Sequence, residues 1–208
     1  MWKVCVKLSL PAVIAMFLYG LNTICDMIFI GKYVGEVAFR IMNLLMIPIY
    51  GLMRALQSAV GINYGAKQYQ RVIDFYKVFS FVAFVLEFSL CIPSVLFPNK
   101  IIHIVMPDAS FGVESLNYFR FIIRVVPLLC VVLTAMVFWP AIKKPRAAML
   151  IGIGRQLILY IPLMIILPKI FGIYSIYYGS FAIDFLVAII TIILIRNEFK
   201  ELRNTKTI

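Results

Sequence analysis

The chain has 208 residues, 63% of them apolar and 14% charged, with a mean hydropathy of +1.01. An ordinary globular domain is about 45–50% apolar, so a soluble enzyme, a disordered chain and a secreted disulfide scaffold are excluded in favour of a protein whose solvent is the lipid bilayer. The net charge of +11 would suggest nucleic acid in a soluble chain, but no basic face carries a recognition motif, and membrane topology accounts for the charge instead.

About 20 apolar residues cross the hydrocarbon as a helix, and stretches of that length fall at 9–30, 41–62, 75–96, 118–139, 147–167 and 173–195. In hydrocarbon every backbone N–H and C=O must be satisfied within the segment or by protein neighbours, and strand-like alternation is absent. The expected fold is therefore an all-α, polytopic bundle of six transmembrane helices in a single domain, residues 1–208.

The first stretch, 9–30, follows Lys3 and Lys7 as the apolar part of a signal peptide follows its charged part, but it is too long and has no A-x-A site, so it reads as a spanning helix. Asn22 and Asp26 lie four residues apart, on one face near its outer end. Such a pair can bind a cation or a substrate amine, or reach interfacial water. The second stretch carries Pro48, Arg54 and Gln57. The third carries Glu87 near its middle, where a bare charge costs roughly 2.5–3.5 kcal/mol on insertion scales and so calls for a role.

The fourth stretch has Pro127, with Arg120 and Arg124 on one face at its outer edge, placed to snorkel to lipid phosphate. The fifth follows Lys143, Lys144 and Arg146. Its Gly152-Ile153-Gly154 lacks the third glycine and the preceding strand of a dinucleotide fingerprint, and reads as a place of close helix packing. In the sixth, Asp184 lies mid-span, as a protonatable or cation-binding carboxylate or as a packing hydrogen bond or partner of Arg155. Prolines at 11, 48, 93, 127 and 162 put a bend in five of the six helices, which favours a bundle flanking a cavity.

Cys5, Cys25, Cys91 and Cys130 are dispersed and read as small buried hydrophobes, not as a metal cluster or disulfide framework. His103, the only histidine, falls in an outer loop with no triad partners in reach. No catalytic, cofactor or metal site is expected.

Six spans place both termini and the second and fourth loops on one side. That side holds twelve of the twenty basic residues, against four on the other and four within or at the edges of spans. The positive-inside rule then puts both termini in the cytoplasm of a cell (inner or plasma) membrane protein.

Residues 48–72 are specific. Gly51, Gln57 and Gly61, then Asn63-Tyr64-Gly65-Ala66-Lys67 followed by Arg71-Val72, resemble the second half of the MATE (multidrug and toxic compound extrusion) family. Lys144-Pro145-Arg146, Arg155-Gln156, Ile161-Pro162, Leu167-Pro168 and Phe171-Gly172 continue the likeness, with Leu96-Phe97-Pro98 between. Asp26 to Gly31 is similar to a signature more usual in the family's first half. The likeness covers about 10–195.

What this resemblance implies is one six-helix lobe of a twelve-helix fold whose two lobes face a central cavity. Alternating access would then need a second lobe, from another polypeptide or a homodimer partner. The implied activity is export of a small organic, cationic compound in exchange for H+ or Na+. Asn22, Asp26 and Gln57 would line the cavity, and Glu87 or Asp184 would titrate.

The chain departs from the family pattern at several points. The sodium-coupled branch has a Glu where Tyr19 stands and an acid in the fourth span, which has none here. Arg54 stands where Gln is typical, and is expected either to be paired with a carboxylate or to shift the cargo toward anions. Pro140 replaces a Gln and Lys143 a Gly at the end of the fourth span. Two alternatives remain: a lobe of a related lipid-linked flippase or exporter, and a non-transporting remnant or accessory protein.

Overall fold

A computed structural model describes residues 13, 17, 20, 36–105, 113–171 and 175–204, and among them there is no strand. The helices are α1 (Glu36–Gly65), α2 (Tyr69–Leu96), α3 (Pro98–Val105), α4 (Val113–Ala141), α5 (Pro145–Ile153), α6 (Ile161–Phe171) and α7 (Ser175–Asn204). A π-helical segment, Gly154–Tyr160, joins α5 to α6 without a break. Among the described residues, five helical stretches are long and apolar enough to cross a membrane: Asn43–Gly65, Tyr69–Leu96, Ile123–Ala141, Pro145–Leu163 and Gly179–Asn204.

These five correspond to the second through sixth expected spans. The first, 9–30, lies outside the described residues apart from Val13, Phe17 and Gly20, which are helical. Several helices outrun their apolar stretches: α2 starts at Tyr69 and α7 continues to Asn204. Hydropathy measures only hydrocarbon depth, and Gln70, Arg71, Glu198 and Lys200 continue the helices into the interface because no proline or glycine interrupts them. His103 is exposed on the short helix α3 rather than in a loop, because the proline at the first position of α3 is already set for a helical start.

The core forms around α4, which packs against α1 and α2 on one side and against α5 and α7 on the other. Phe138 and Trp139 of α4, and Ile142 in the turn just after it, are fully buried in it. Near the charged helix ends Tyr76 of α2, Phe138 of α4 and Phe199 of α7 pack edge to face, with centroids 4.7, 5.5 and 6.0 Å apart. Each such pair contributes about 0.5–1.5 kcal/mol beyond its buried area. Many outward-facing side chains are apolar, Phe81 at 69% exposure and Ile158 at 67% among them, as suits a lipid-facing surface.

Two helix ends share one device. Gln68 N–H donates to Asn63 O and Lys67 N–H to Tyr64 O at the end of α1; Lys144 N–H donates to Trp139 O and Lys143 N–H to Pro140 O at the end of α4. These are Schellman motifs, whose penultimate residue must be left-handed. Lys67 (φ 57°) and Lys143 (φ 62°) hold that position, which favours glycine. Lys144 then leads directly into Pro145 at the first turn of α5.

Gly152 is a site of close packing: a Cβ there would lie 3.3 Å from Met136 Cε of α4, whereas one at Gly154 would meet nothing within 4 Å. The π segment ends just before Pro162, whose missing N–H already removes one α-helical bond. Ile161 N–H donates instead to Gln156 O, one residue further back than in an α-helix.

Candidate functional site

On α1, Ile49, Leu56 and Val60 are fully buried, so the opposite stripe of the helix is left open. Gly51, Arg54, Ala55 and Ser58 fall on that stripe at helical spacing, with Gln57 on its flank, and all five are exposed. A Cβ at Gly51 or Gly61 would meet nothing within 4 Å. The stripe is thus a wall of small and polar groups with space beside it. Gln57 offers both a donor and an acceptor there, and Arg54 a fixed cation. No carboxylate among the described residues lies within ion-pair distance of Arg54, so the expected neutralising partner is not found among them.

Glu87 is fully buried on α2. One turn away on the same face, Ala83 packs with Ile49 of α1 and Cys130 of α4, which sets Glu87 toward the junction of α1, α2 and α4. The Cys91 thiol lies 3.9 Å from Glu87 Oε1, a contact at the outer limit for a sulfur donor, and Oε2 has no hydrogen-bond partner among the described residues. Cys91 and Cys130 are free and buried, while Cys5 and Cys25 lie outside the described residues.

Asp184 of α7 and Arg155 of the π segment form a buried ion pair. Arg155 donates from Nε at 2.8 Å and lies 2.7 Å away through Nη2, both to Oδ1 of Asp184. The two side chains are 14% and 5% exposed, and the guanidinium also lies over the Tyr160 ring at 5.8 Å. The π geometry matters here because it rotates Arg155 and Gln156 relative to an uninterrupted α-helix. Arg155 reaches α7, and Gln156 is buried with neither amide atom hydrogen bonded among the described residues.

The structure therefore does not gather the described candidates into one site. Arg54 and Gln57 share the open face of α1, Glu87 lies behind that face, and Asp184 is held by Arg155. Asn22 and Asp26 lie outside the described residues. Arg120 donates to the backbone O of Val95 at 3.2 Å, fixing the outer end of α4 to α2 instead of only snorkelling. Among the described residues no three His, Cys, Asp or Glu side chains are grouped to hold a metal ion.

In the sequence Gln156 and Lys144 stand out only as parts of the family likeness, not as a buried amide or the centre of a network. Lys144 Nζ donates to Glu198 at 2.7 Å and also to Glu201, tying the α4–α5 turn to the end of α7. Partial burial works against the ammonium charge, but the hydrogen bonds to the two carboxylates outweigh it and raise the Lys144 pKa. The signal available in the sequence was only the Lys-Pro pair, and nothing in it marks partners 54 and 57 residues away.

A family model described as MatE matches residues 11–166. No curated protein is significantly similar. Among solved structures, the chain is similar to one of MATE in the bent conformation (18% identity, TM-score 0.83, 98% of this chain and 47% of that one). It is also similar to MATE in complex with MaL6 (18%, 0.82, 96% and 47%). A third is a MOP superfamily transporter from Pyrococcus furiosus, described as having a binding pocket of reversed polarity that suggests a different function (19%, 0.75, 95% and 45%). The chain spans about half the length of these structures.

Proposed function

The chain belongs to the MatE family, a family of membrane transporters, and on that premise we propose that it works as the second six-helix lobe of an efflux antiporter. The cargo is a small organic cation, moved outward in exchange for H+ or Na+. The chain lies in the cell membrane with both termini in the cytoplasm, and a complementary lobe or a second copy of the chain supplies the facing wall. The carrying observation is the open stripe of α1: small and polar residues, with nothing among the described residues within 4 Å of a Cβ at Gly51 or Gly61, in a helix whose Ile49, Leu56 and Val60 are fully buried on the other side.

Gln57 contacts cargo from that stripe, and Asn22 and Asp26 are proposed as further cavity-lining residues. Coupling is carried by a buried carboxylate. Glu87 is the better supported of the two expected here, because Oε2 is without a partner whereas Asp184 already has Arg155. A proton or Na+ on Glu87 would neutralise it and change the packing at the α1–α2–α4 junction directly behind the cargo-facing stripe. The test is dye efflux from cells expressing the chain with a complementary first lobe. Asp26→Asn, Glu87→Gln and Asp184→Asn together should abolish ion-driven efflux; unchanged efflux would overturn this mechanism.

A second reading is favoured by Arg54, exposed on the same stripe without a carboxylate partner among the described residues. A bare cation on the wall repels cationic cargo and attracts anions, as a lobe of a lipid-linked exporter would require. Arg54→Gln separates the two: faster cation efflux supports the first reading, and loss of transport of an anionic substrate supports the second.

A further inference from the structure

A groove of about 250 Å³ lies between α2 and α7, floored by Val131 and Thr134 of α4. Drug-sized ligands occupy pockets of about 300–1,000 Å³, so the groove is too small for a whole cargo molecule, and it lies away from the open stripe of α1. Its sides are Phe84 and Ile192 toward the middle of the helices and Tyr76 and Phe199 toward their charged ends. Phe84 is 42% exposed and Ile192 41%, beside Phe81 at 69%, so the groove opens onto the apolar outer surface.

One cation lines the charged end of the groove, and two more lie on the helix faces that flank it. Arg196 lines it, Arg203 follows two turns later on the same face of α7, and Lys77 shares the α2 face of Ser80 and Phe84. None of the three is in an ion pair among the described residues. The acids nearby are engaged elsewhere: Glu198 and Glu201 hold Lys144, and Asp74 accepts a hydrogen bond from Gln70 at 3.0 Å. A narrow apolar slot open to hydrocarbon and capped by unpaired basic side chains at interfacial depth is complementary to a phospholipid with a net negative headgroup.

We propose that this groove docks an anionic phospholipid of the cytoplasmic leaflet, with its phosphate on Arg196 and Lys77 and one acyl chain lying between α2 and α7. The lipid bridges two helices that otherwise meet mainly through α4 and the Tyr76–Phe199 ring contact, and so braces the end of the lobe that carries the Lys144 network.

Native mass spectrometry of the purified full chain, titrated with phosphatidylglycerol or phosphatidylcholine, tests this. Phosphatidylglycerol should be retained preferentially. Lys77→Gln with Arg196→Gln should weaken it about fivefold for each charge removed, and the equally charged control Lys143→Gln with Arg146→Gln should leave it unchanged. Ser80→Leu, which fills the groove with both cations in place, should also lower occupancy, with circular dichroism verifying the fold. Equal retention of the two lipids would overturn the proposal. So would an equal loss in the control, an undiminished occupancy in folded Ser80→Leu, or a homodimer that only the groove variants dissolve.

Discussion

Removing either partner of the Arg155–Asp184 pair should damage the lobe far more than removing both. The two side chains are 14% and 5% exposed and joined by contacts of 2.7 and 2.8 Å to a single carboxylate oxygen, so Asp184→Leu leaves a guanidinium buried between the π segment and α7, and Arg155→Met leaves a bare carboxylate there. Breaking one side of a buried pair costs about 3–5 kcal/mol, whereas replacing both with apolar groups is neutral or stabilising. At about 2–4 °C per kcal/mol for a chain of 150–250 residues, each single variant should lower the melting temperature by roughly 6–20 °C. The double variant should melt near the parent. Thermal unfolding of the purified chain in detergent measures all four corners of the cycle. Additive losses, with the double variant worst, would refute the reasoning and free Asp184 to be read as an ion-binding carboxylate.

Other substitutions probe the remaining features. Lys143→Gly should stabilise the chain by up to about 1 kcal/mol, because a left-handed conformation costs an L-residue roughly 1–2 kcal/mol and glycine's larger unfolded-state entropy offsets part of the gain; Lys143→Val should be destabilising, and melting temperatures report both. Glu87→Leu should raise stability by about 1–3 kcal/mol by removing an unpartnered buried oxygen, while abolishing ion-driven efflux. Stability and transport are measured on the same preparation, and a loss of stability would mean that Glu87 is a structural anchor.

Much of this lobe is legible in the sequence because the bilayer imposes a simple rule. The five long apolar stretches follow from apolar length, and the two tight turns from the Asn-Tyr-Gly-Ala-Lys and Lys-Lys-Pro runs, whereas the short helix α3 stands in a segment that reads as a loop. Pairing between distant helices is less legible. Asp184 with Arg155 stands in the sequence only as one alternative, since it depends on a π turn that rotates Arg155 toward α7, and local propensity does not encode that turn. The Lys143 departure is visible as a substitution, but its meaning emerges only with φ at 62°. Burial of Glu87 follows from its place in an apolar run, yet its lack of a partner depends on which faces of α1 and α4 meet there. The groove between α2 and α7 has no signature at all, being made by two helices about 110 residues apart in the chain.

The most direct test of the two-lobe account is efflux of a fluorescent organic cation from energised cells producing this chain alone, a complementary first lobe alone, or both. The account predicts efflux only when both are present, or with this chain alone where it purifies as a homodimer. Efflux by a strictly monomeric chain, or none in any combination when both lobes are inserted and folded, would contradict it.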